Sequence, residues 1–276
     1  MKVTMLMENK AGGPQFCRAH GLSILVEALG KTILFDAGPD TGYAQNARTL
    51  GVDLTAVDFA VLSHAHWDHS GGLLDFMSRN RTAPLYLSRE AFGEYYAIEN
   101  GVEEYAGVDK ALAAEPRLVY SDGELEIMPG ITLFSLPAGS PRRLWAKVNN
   151  VLYKRTPKGD VHDSFAHEQN LLIRENGFSA LLSGCAHSGI VNILERAEQL
   201  NGGELDVVLG GFHLQDPDSL RAENDALLLE IADELAARKT RYYAFHCTGD
   251  GPFEVLKQRL EGRIEWLSAG QSRTFL

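Results

Sequence analysis

The sequence predicts an α/β chain, and three observations carry that expectation. Short apolar runs alternate with segments whose apolar residues keep helical spacing. Polar side chains gather where those runs stop, at Asp36, at His64, at Gly184-Cys185, at His213 and at His246. Ligand sites of α/β proteins form at such strand ends, so five endings of one kind say more than any one of them. Finally, Ser63-His64-Ala65-His66-Trp67-Asp68-His69-Ser70-Gly71-Gly72 follows the apolar run Phe59-Ala60-Val61-Leu62. It packs three of the chain's nine histidines and a carboxylate into one short stretch.

The elements follow in order. Residues 3–7 read as a first strand. Residues 22–27 alternate and, through Gly30-Lys31, pair with 32–35 as a hairpin. That strand ends at Asp36-Ala37-Gly38-Pro39. Residues 43–50 suit a helix stopped by Gly51. Residues 59–62 form a short buried strand that delivers the histidine cluster; 73–80 suit a helix and 85–87 a strand. Residues 89–115 mix aromatic and acidic side chains without a clean period and read as helix and loop, a lid candidate. Residues 118–120, 125–127 and 131–134 resemble a β-meander with turns at Gly123 and Pro129-Gly130. Residues 136–168 read as a long irregular stretch, and such loops in compact domains tend to be functional.

The pattern then sharpens. Residues 171–173 pair with 180–182 through Glu175-Asn176-Gly177. Ile190, Ile193, Leu194, Ala197 and Leu200 keep helical spacing, closed by Gly202-Gly203. Residues 205–209 form a strand ending at Gly210-Gly211-Phe212-His213. Asp218 or Ser219 can N-cap a helix with Leu220, Leu227, Leu228, Ile231 and Leu235 on one face. A strand at 242–245 runs into His246-Cys247-Thr248-Gly249. No repeat, low-complexity tract or linker interrupts this order. One domain over residues 1–276 is expected, with variable regions at 89–115 and 136–168.

Composition excludes several classes. The hydrophobic content of 45% and charged content of 23% are those of an ordinary globular protein. No apolar run approaches the roughly 18 residues of a membrane span. The first eight residues are too short and soon too polar for a signal peptide, so a cytoplasmic protein is expected. A net charge of −11 without a long Lys/Arg run argues against nucleic acid as partner. A local basic stretch, Arg142, Arg143, Lys147, Lys154, Arg155 and Lys158, has two readings. It holds an anionic group of a small-molecule substrate, or it is a solvated loop and strand edge, the plainer of the two. Three cysteines, Cys17, Cys185 and Cys247, show no pairing pattern and argue against a disulfide framework.

Imidazole nitrogen and carboxylate oxygen are preferred ligands of borderline divalent metals. A strand feeding a tight, Gly-rich turn can aim His64, His66, Asp68 and His69 at one point. Chance His-x-His pairs do not account for three imidazoles and a carboxylate together. One or two divalent ions are therefore expected, zinc first, with manganese or iron as alternatives. His20 and His162 lie in polar loop contexts and read as surface residues. His167, His187, His213 and His246 remain to complete the ligand set.

His64-x-His66-x-Asp68-His69 resembles the signature of the metallo-β-lactamase superfamily. Leu34-Phe35-Asp36-Ala37-Gly38, Gly184-Cys185-x-His187-Ser188-Gly189-Ile190-Val191-Asn192, Gly210-Gly211-Phe212-His213-Leu214 and His246-Cys247-Thr248-Gly249 resemble one branch of it. Its members are labelled 7,8-dihydropterin-6-methyl-4-(β-D-ribofuranosyl)aminobenzene 5′-phosphate synthase-like. The resemblance implies a four-layer αββα sandwich with metals at one sheet edge. It implies that His64 and His66 hold one metal, that Asp68 and His69 hold a second, and that His246 is the last ligand. The superfamily's bridging Asp position is occupied by Cys185, a departure that weakens the case for two metals and leaves Cys185 as a reserve ligand. His167 and His187 compete for one ligand position; the Gly-Cys-x-His string favours His187, with His167 in reserve and Glu168 beside it as a further oxygen donor. Asp36 resembles the family's buried Asp, which orients a ligand histidine. His213 is not a standard ligand and is expected to contact substrate or carry a proton.

Three functions compete. The first is hydrolysis of an ester, lactone or phosphoester by a metal-activated water, with Asp68 orienting the nucleophile and His213 protonating the leaving group. The second is a transferase coupling a dihydropterin pyrophosphate to a ribosylaminobenzene phosphate. The third is a non-catalytic metal or ligand-binding protein, which the open, Gly-flanked motif disfavours.

Overall fold

The hairpin expected at Gly30 forms. In the computed structural model β1 (Lys2–Met7), β2 (Ser23–Ala28) and β3 (Lys31–Phe35) are successive antiparallel strands. Leu29 and Gly30 between the last two take φ of 52° and 71°, the two positive angles that a tight hairpin turn asks for. All residues but 100, 138, 141–142, 217–220 and 276 are described. Helix α1 (Gly42–Leu50) stops where Gly51 turns left-handed. β4 (Phe59–Val61) lies parallel to β3 and is wholly buried. The short helix α2 (Trp67–Ser70) then carries Asp68 and His69, and α3 (Leu73–Arg79) follows the glycine pair. A Cβ at Gly71 would strike the carbonyl oxygen of Pro39, and one at Gly72 that of Ala37. Glycine at both positions lets the histidine-bearing loop pass against the chain leaving β3.

β5 (Leu85–Ser88) is parallel to β4. Residues 89–115, expected as helix and loop, instead contain the antiparallel pair β6 (Glu94–Glu99) and β7 (Val102–Tyr105). Period two is present there, since Tyr95 is buried while Tyr96 lies partly exposed with the Arg155 guanidinium 4.2 Å from its ring centroid. Glutamates, poor strand formers, mask the pattern. β8 (Leu118–Ser121) pairs parallel with β5, so the expected meander divides. Only β9 (Glu124–Met128) and β10 (Ile131–Phe134) form a hairpin, in a different sheet. Residues 136–168, expected as irregular, hold β11 (Leu152–Thr156) and β12 (Gly159–His162). β11 pairs with β12 beside it and with β6, a partner distant in sequence.

β13 (Asn170–Glu175) and β14 (Phe178–Leu182) form the expected hairpin, with Asn176 and Gly177 at φ 52° and 82°. Helix α4 (Ile190–Asn201) ends at left-handed Gly202. β15 (Val207–Gly210) joins β14 in parallel. The next helix starts later than expected: α5 (Asp225–Ala236) is capped by Asn224, whose Oδ1 accepts the Leu227 N–H at 3.0 Å. Asp218, Ser219 and Leu220 lie outside the described residues. β16 (Arg241–Ala244), α6 (Asp250–Leu260), β17 (Ile264–Glu265) and β18 (Ser272–Thr274) complete the chain.

The chain divides into two compact units. The first comprises Met1–Asp122, Val151–Gln169 and Leu267–Leu276. It contains a seven-stranded sheet ordered β18-β1-β2-β3-β4-β5-β8 and a four-stranded sheet ordered β12-β11-β6-β7. Its core gathers Leu34, Ala60, Leu85 and Leu87 with Tyr43 and Phe76. The second comprises Gly123–Asn150 and Asn170–Trp266. Its seven-stranded sheet runs β17-β16-β15-β14-β13-β10-β9, and its core joins Leu181, Val208 and Tyr242 to Leu194, Ile231 and Leu256 of the helices. No described helix is long and apolar enough to cross a membrane.

Candidate metal centre

In the first unit, β3 and β4 end side by side, with Phe35 opposite Val61. Asp36 follows the one strand and Ser63 lies just beyond the other. Asp36 is fully buried and left-handed at φ 59°. Its Oδ1 accepts the Ser63 N–H at 2.7 Å, and its Oδ2 accepts the Ser63 hydroxyl and His69 Nδ1, each at 2.7 Å. The single hydroxyl proton of Ser63 is thereby committed to Asp36. The 2.9 Å contact between Ser63 Oγ and His64 Nδ1 is therefore donated by the imidazole. His64 and His69 both carry their protons on Nδ1 and present the Nε2 lone pair, the arrangement of metal-ligating histidines.

The His64 ring centroid lies 4.2 Å from that of His69 and 4.6 Å from that of His66. Asp68 Oδ2 is 3.4 Å from His69 Nε2 and 3.3 Å from His20 Nε2. His20 is thus partly buried beside Asp68 and not the plain surface residue expected. The Leu22 N–H donates to the Asp68 carbonyl at 3.2 Å and holds that segment in place. His162 is exposed as expected, but on strand β12, stacked 4.5 Å from Tyr153.

Burial, reinforced by the neighbouring His167, pushes His66 down from its ordinary 6.5 to about 3, while Asp68 and Asp163 pull the other way. His66 therefore keeps its lone pair well below neutral pH. The unfolded chain takes up a proton near pH 6.5 that the folded chain refuses until about pH 3. Metal-stripped protein should accordingly be fully stable on this account above pH 6.5 and lose stability as pH falls toward 3, by about 2 kcal/mol at pH 5. Thermal melts at pH 7 and pH 5 check this; His66→Gln should show the smaller drop.

His167, the reserve ligand, has both nitrogens occupied. Nδ1 accepts the Ala65 N–H at 3.0 Å, and Nε2 donates to Asp163 Oδ2 at 2.9 Å. It braces the backbone between His64 and His66.

In the second unit, β14, β15 and β16 run parallel and end together, with Leu182 beside Leu209 and Gly210 beside Ala244. The chain beyond those ends carries Cys185, His187, His213, His246 and Cys247, all buried. His213 and His246 sit at φ 44° and 55°, conformations that side chains adopt only when the surroundings impose them. His187 Nδ1 donates to Asn149 Oδ1 at 2.7 Å, which leaves the lone pair on Nε2. The Asn149 amide nitrogen donates to the Ala146 carbonyl at 2.9 Å, fixing which way that side chain faces. Trp145 Nε1 donates to the His187 carbonyl at 2.7 Å. His187 and His213 ring centroids are 4.2 Å apart. Asn149→Ala should weaken metal binding 10- to 100-fold by releasing the His187 tautomer, as read by competition with a chelating dye.

Ser63, Asn149 and Asp163 are the polar groups that sequence reasoning passed over. Ser63 stands directly before the motif, where a hydroxyl next to a ligand is a readable signal; the other two have no local mark. Three residues of the basic stretch are committed to carboxylates. Arg143 pairs with Glu195 and Glu234, each at 2.5 Å, Lys154 with Glu90 at 2.6 Å, and Arg155 with Glu103 and Asp160. These contacts support the solvated-edge reading; Arg142 lies outside the described residues.

A family model described as the metallo-beta-lactamase superfamily matches residues 18–152. The 7,8-dihydropterin-6-methyl-4-(β-D-ribofuranosyl)-aminobenzene-5′-phosphate synthase of Methanocaldococcus jannaschii is 30% identical over 98% of this chain and 95% of its own. The solved structure of a metal-dependent hydrolase of the β-lactamase superfamily matches with a TM-score of 0.81 at 26% identity, covering 100% of this chain and 99% of its own. A diphosphatase from the PhnP family, at a TM-score of 0.55 and 17% identity over 100% of this chain and 98% of its own, shows the fold alone. These structures share the αββα fold class expected from the sequence. With a relative 30% identical along nearly its whole length, the chain belongs to the metallo-β-lactamase superfamily, in a branch resembling that synthase.

Proposed function

We propose that the chain is a metal-dependent hydrolase that delivers water to a small-molecule ester, lactone or phosphoester. His64, His66, Asp68, His69, His187 and His246 are the assigned ligands. The observation that carries this reading is the Asp36–Ser63 network, which sets His64 and His69 to the same tautomer. The donor set fits a divalent cation: buried imidazoles, one of them resistant to protonation, with a carboxylate at hand. A zinc ion held there, or manganese or iron, supplies Lewis acidity and brings the pKa of a bound water to near 7.

The chain's own residues do the rest. Asp36 fixes the two rings. Asp68 offers a carboxylate that orients the attacking water or takes part in holding a second ion. His187 is preferred over His167, whose two nitrogens are spent on Ala65 and Asp163. His213, whose ring centroid lies 4.2 Å from that of His187, is assigned the protonation of a leaving group.

A second reading is favoured by the synthase of similar sequence. Here the aromatic acceptor, a ribosylaminobenzene phosphate, attacks a dihydropterin pyrophosphate in place of water, and the carbon–oxygen bond to pyrophosphate breaks with release of pyrophosphate. The test is a panel of esters, lactones and phosphodiesters set against the dihydropterin pyrophosphate with its acceptor, each with and without chelator. Chelator-sensitive turnover of a single ester or phosphoester substrate supports the hydrolase. Turnover that requires the acceptor replaces it with the transferase, and turnover indifferent to thorough chelation overturns both.

A further inference from the structure

We propose that Cys185, His213 and Cys247 form a second cation site, built from the second unit alone and suited to zinc. The inference does not depend on the proposed function, and it replaces the proton-donor role given there to His213.

The placement comes from the sheet. Strands β14, β15 and β16 are parallel neighbours that end at Leu182, Gly210 and Ala244. Cys185, His213 and Cys247 stand at one and the same offset, the third position past each ending. Three adjacent strands therefore project one donor each from equivalent places on a rigid support. All three residues are buried, and their ligand atoms lie within 4.8 Å of one another. Zinc–sulfur bonds of about 2.3 Å and zinc–nitrogen bonds of about 2.0 Å put tetrahedral ligand atoms roughly 3.5–3.8 Å apart. A contraction of at most about 1.3 Å closes the group around an ion.

Two further observations point to a ligand. His213 Nδ1 is buried and has no hydrogen-bond partner among the described residues, a state that costs free energy unless something else occupies the site. Gly211 makes room for the thiol: a Cβ there would lie 2.5 Å from Cys247 Sγ and 3.0 Å from the Gly184 carbonyl oxygen. The Gly211 N–H donates to that same carbonyl at 2.7 Å, and the Leu214 N–H to the Cys247 carbonyl at 3.1 Å. The three strand-end loops are thus tied together by their backbones around the donors.

Two sulfurs and an imidazole select zinc or another thiophilic ion over magnesium or manganese. Both thiols bind as thiolates, so filling the site from the protonated state releases two protons. A filled site also takes His213 out of proton transfer and Cys185 out of any bridging role. Ligand and proton carrier are therefore alternatives that one experiment separates.

The experiment is a cobalt(II) titration of chelator-stripped, full-length protein, followed by the near-ultraviolet thiolate-to-cobalt charge-transfer band. The band should appear in the wild type and survive in His64→Ala/His66→Ala. It should fall by about half in Cys247→Ser and in Cys185→Ser, since charge-transfer intensity scales with the thiolates bound. A wild-type complex without the band overturns the proposal. So does a band indifferent to Cys247→Ser, which would assign Cys185 to the other centre, and so does a band that disappears with His64 and His66. Should a cysteine variant fail to fold, X-ray absorption of zinc-loaded wild type decides: two sulfurs at about 2.3 Å support the site, and no sulfur shell rejects it. Loss of the proposed hydrolysis with the band intact faults the functional reading alone.

Discussion

Asp36→Ala should lower both the melting temperature and the affinity for metal. The carboxylate accepts the Ser63 N–H, the Ser63 hydroxyl and His69 Nδ1, and no part of it reaches solvent. Alanine leaves those donors buried and unmatched at about 1–3 kcal/mol each, part of which relaxation recovers, so a net loss of about 3–5 kcal/mol is expected. The backbone at φ 59° adds strain, because alanine tolerates that region less well than aspartate. The tautomers of His64 and His69 are no longer imposed, and metal affinity should fall 10- to 100-fold. Asp36→Asn separates the two effects. Its amide oxygen still accepts a proton from Ser63, while its amide nitrogen faces His69 Nδ1 with a second donor and favours the wrong tautomer. The asparagine variant should therefore melt closer to wild type yet bind metal as poorly as alanine. Wild-type metal affinity in Asp36→Asn would remove the orienting role.

The double variant His64→Ala/His66→Ala should lose the metal held through that motif and reduce turnover at least about 1,000-fold, the equivalent of about 4 kcal/mol of transition-state stabilisation. Circular dichroism should show the sheets intact, since both residues lie beyond the end of β4 and not within it. Elemental analysis of the purified variant against wild type is the deciding measurement. Full metal content with full turnover would remove the motif from the mechanism.

What could be read in the chain was local. The turns at Gly30 and Gly177, the helix stops at Gly51 and Gly202 and the run of polar residues past each strand are all set by neighbours within a few positions. What escaped was decided at a distance. β6 pairs with its neighbour β7 but also with β11, more than fifty residues on, and β8 parts from β9 because its partner is β5. Asp218, Ser219 and Asn224 are equivalent caps by residue type, and the structure uses Asn224. In the site, the His64–His69 string is legible because its spacing aims the donors at one point, and Asp36 is legible only through the family motif it resembles. Asn149, 38 positions from His187, and His20, far from Asp68 along the chain, are ordinary polar residues until the fold supplies their partners.

Strand β18 flanks β1, with Thr274 opposite Lys2. On a ribosome adding about 5–20 residues each second, roughly 15–55 s separate the emergence of these two partners. Throughout elongation the nascent polypeptide carries an open sheet edge, the kind of surface that recruits stray strands. Slower translation should consequently lengthen the time for which β1 is exposed to such pairing and lower the yield of active material.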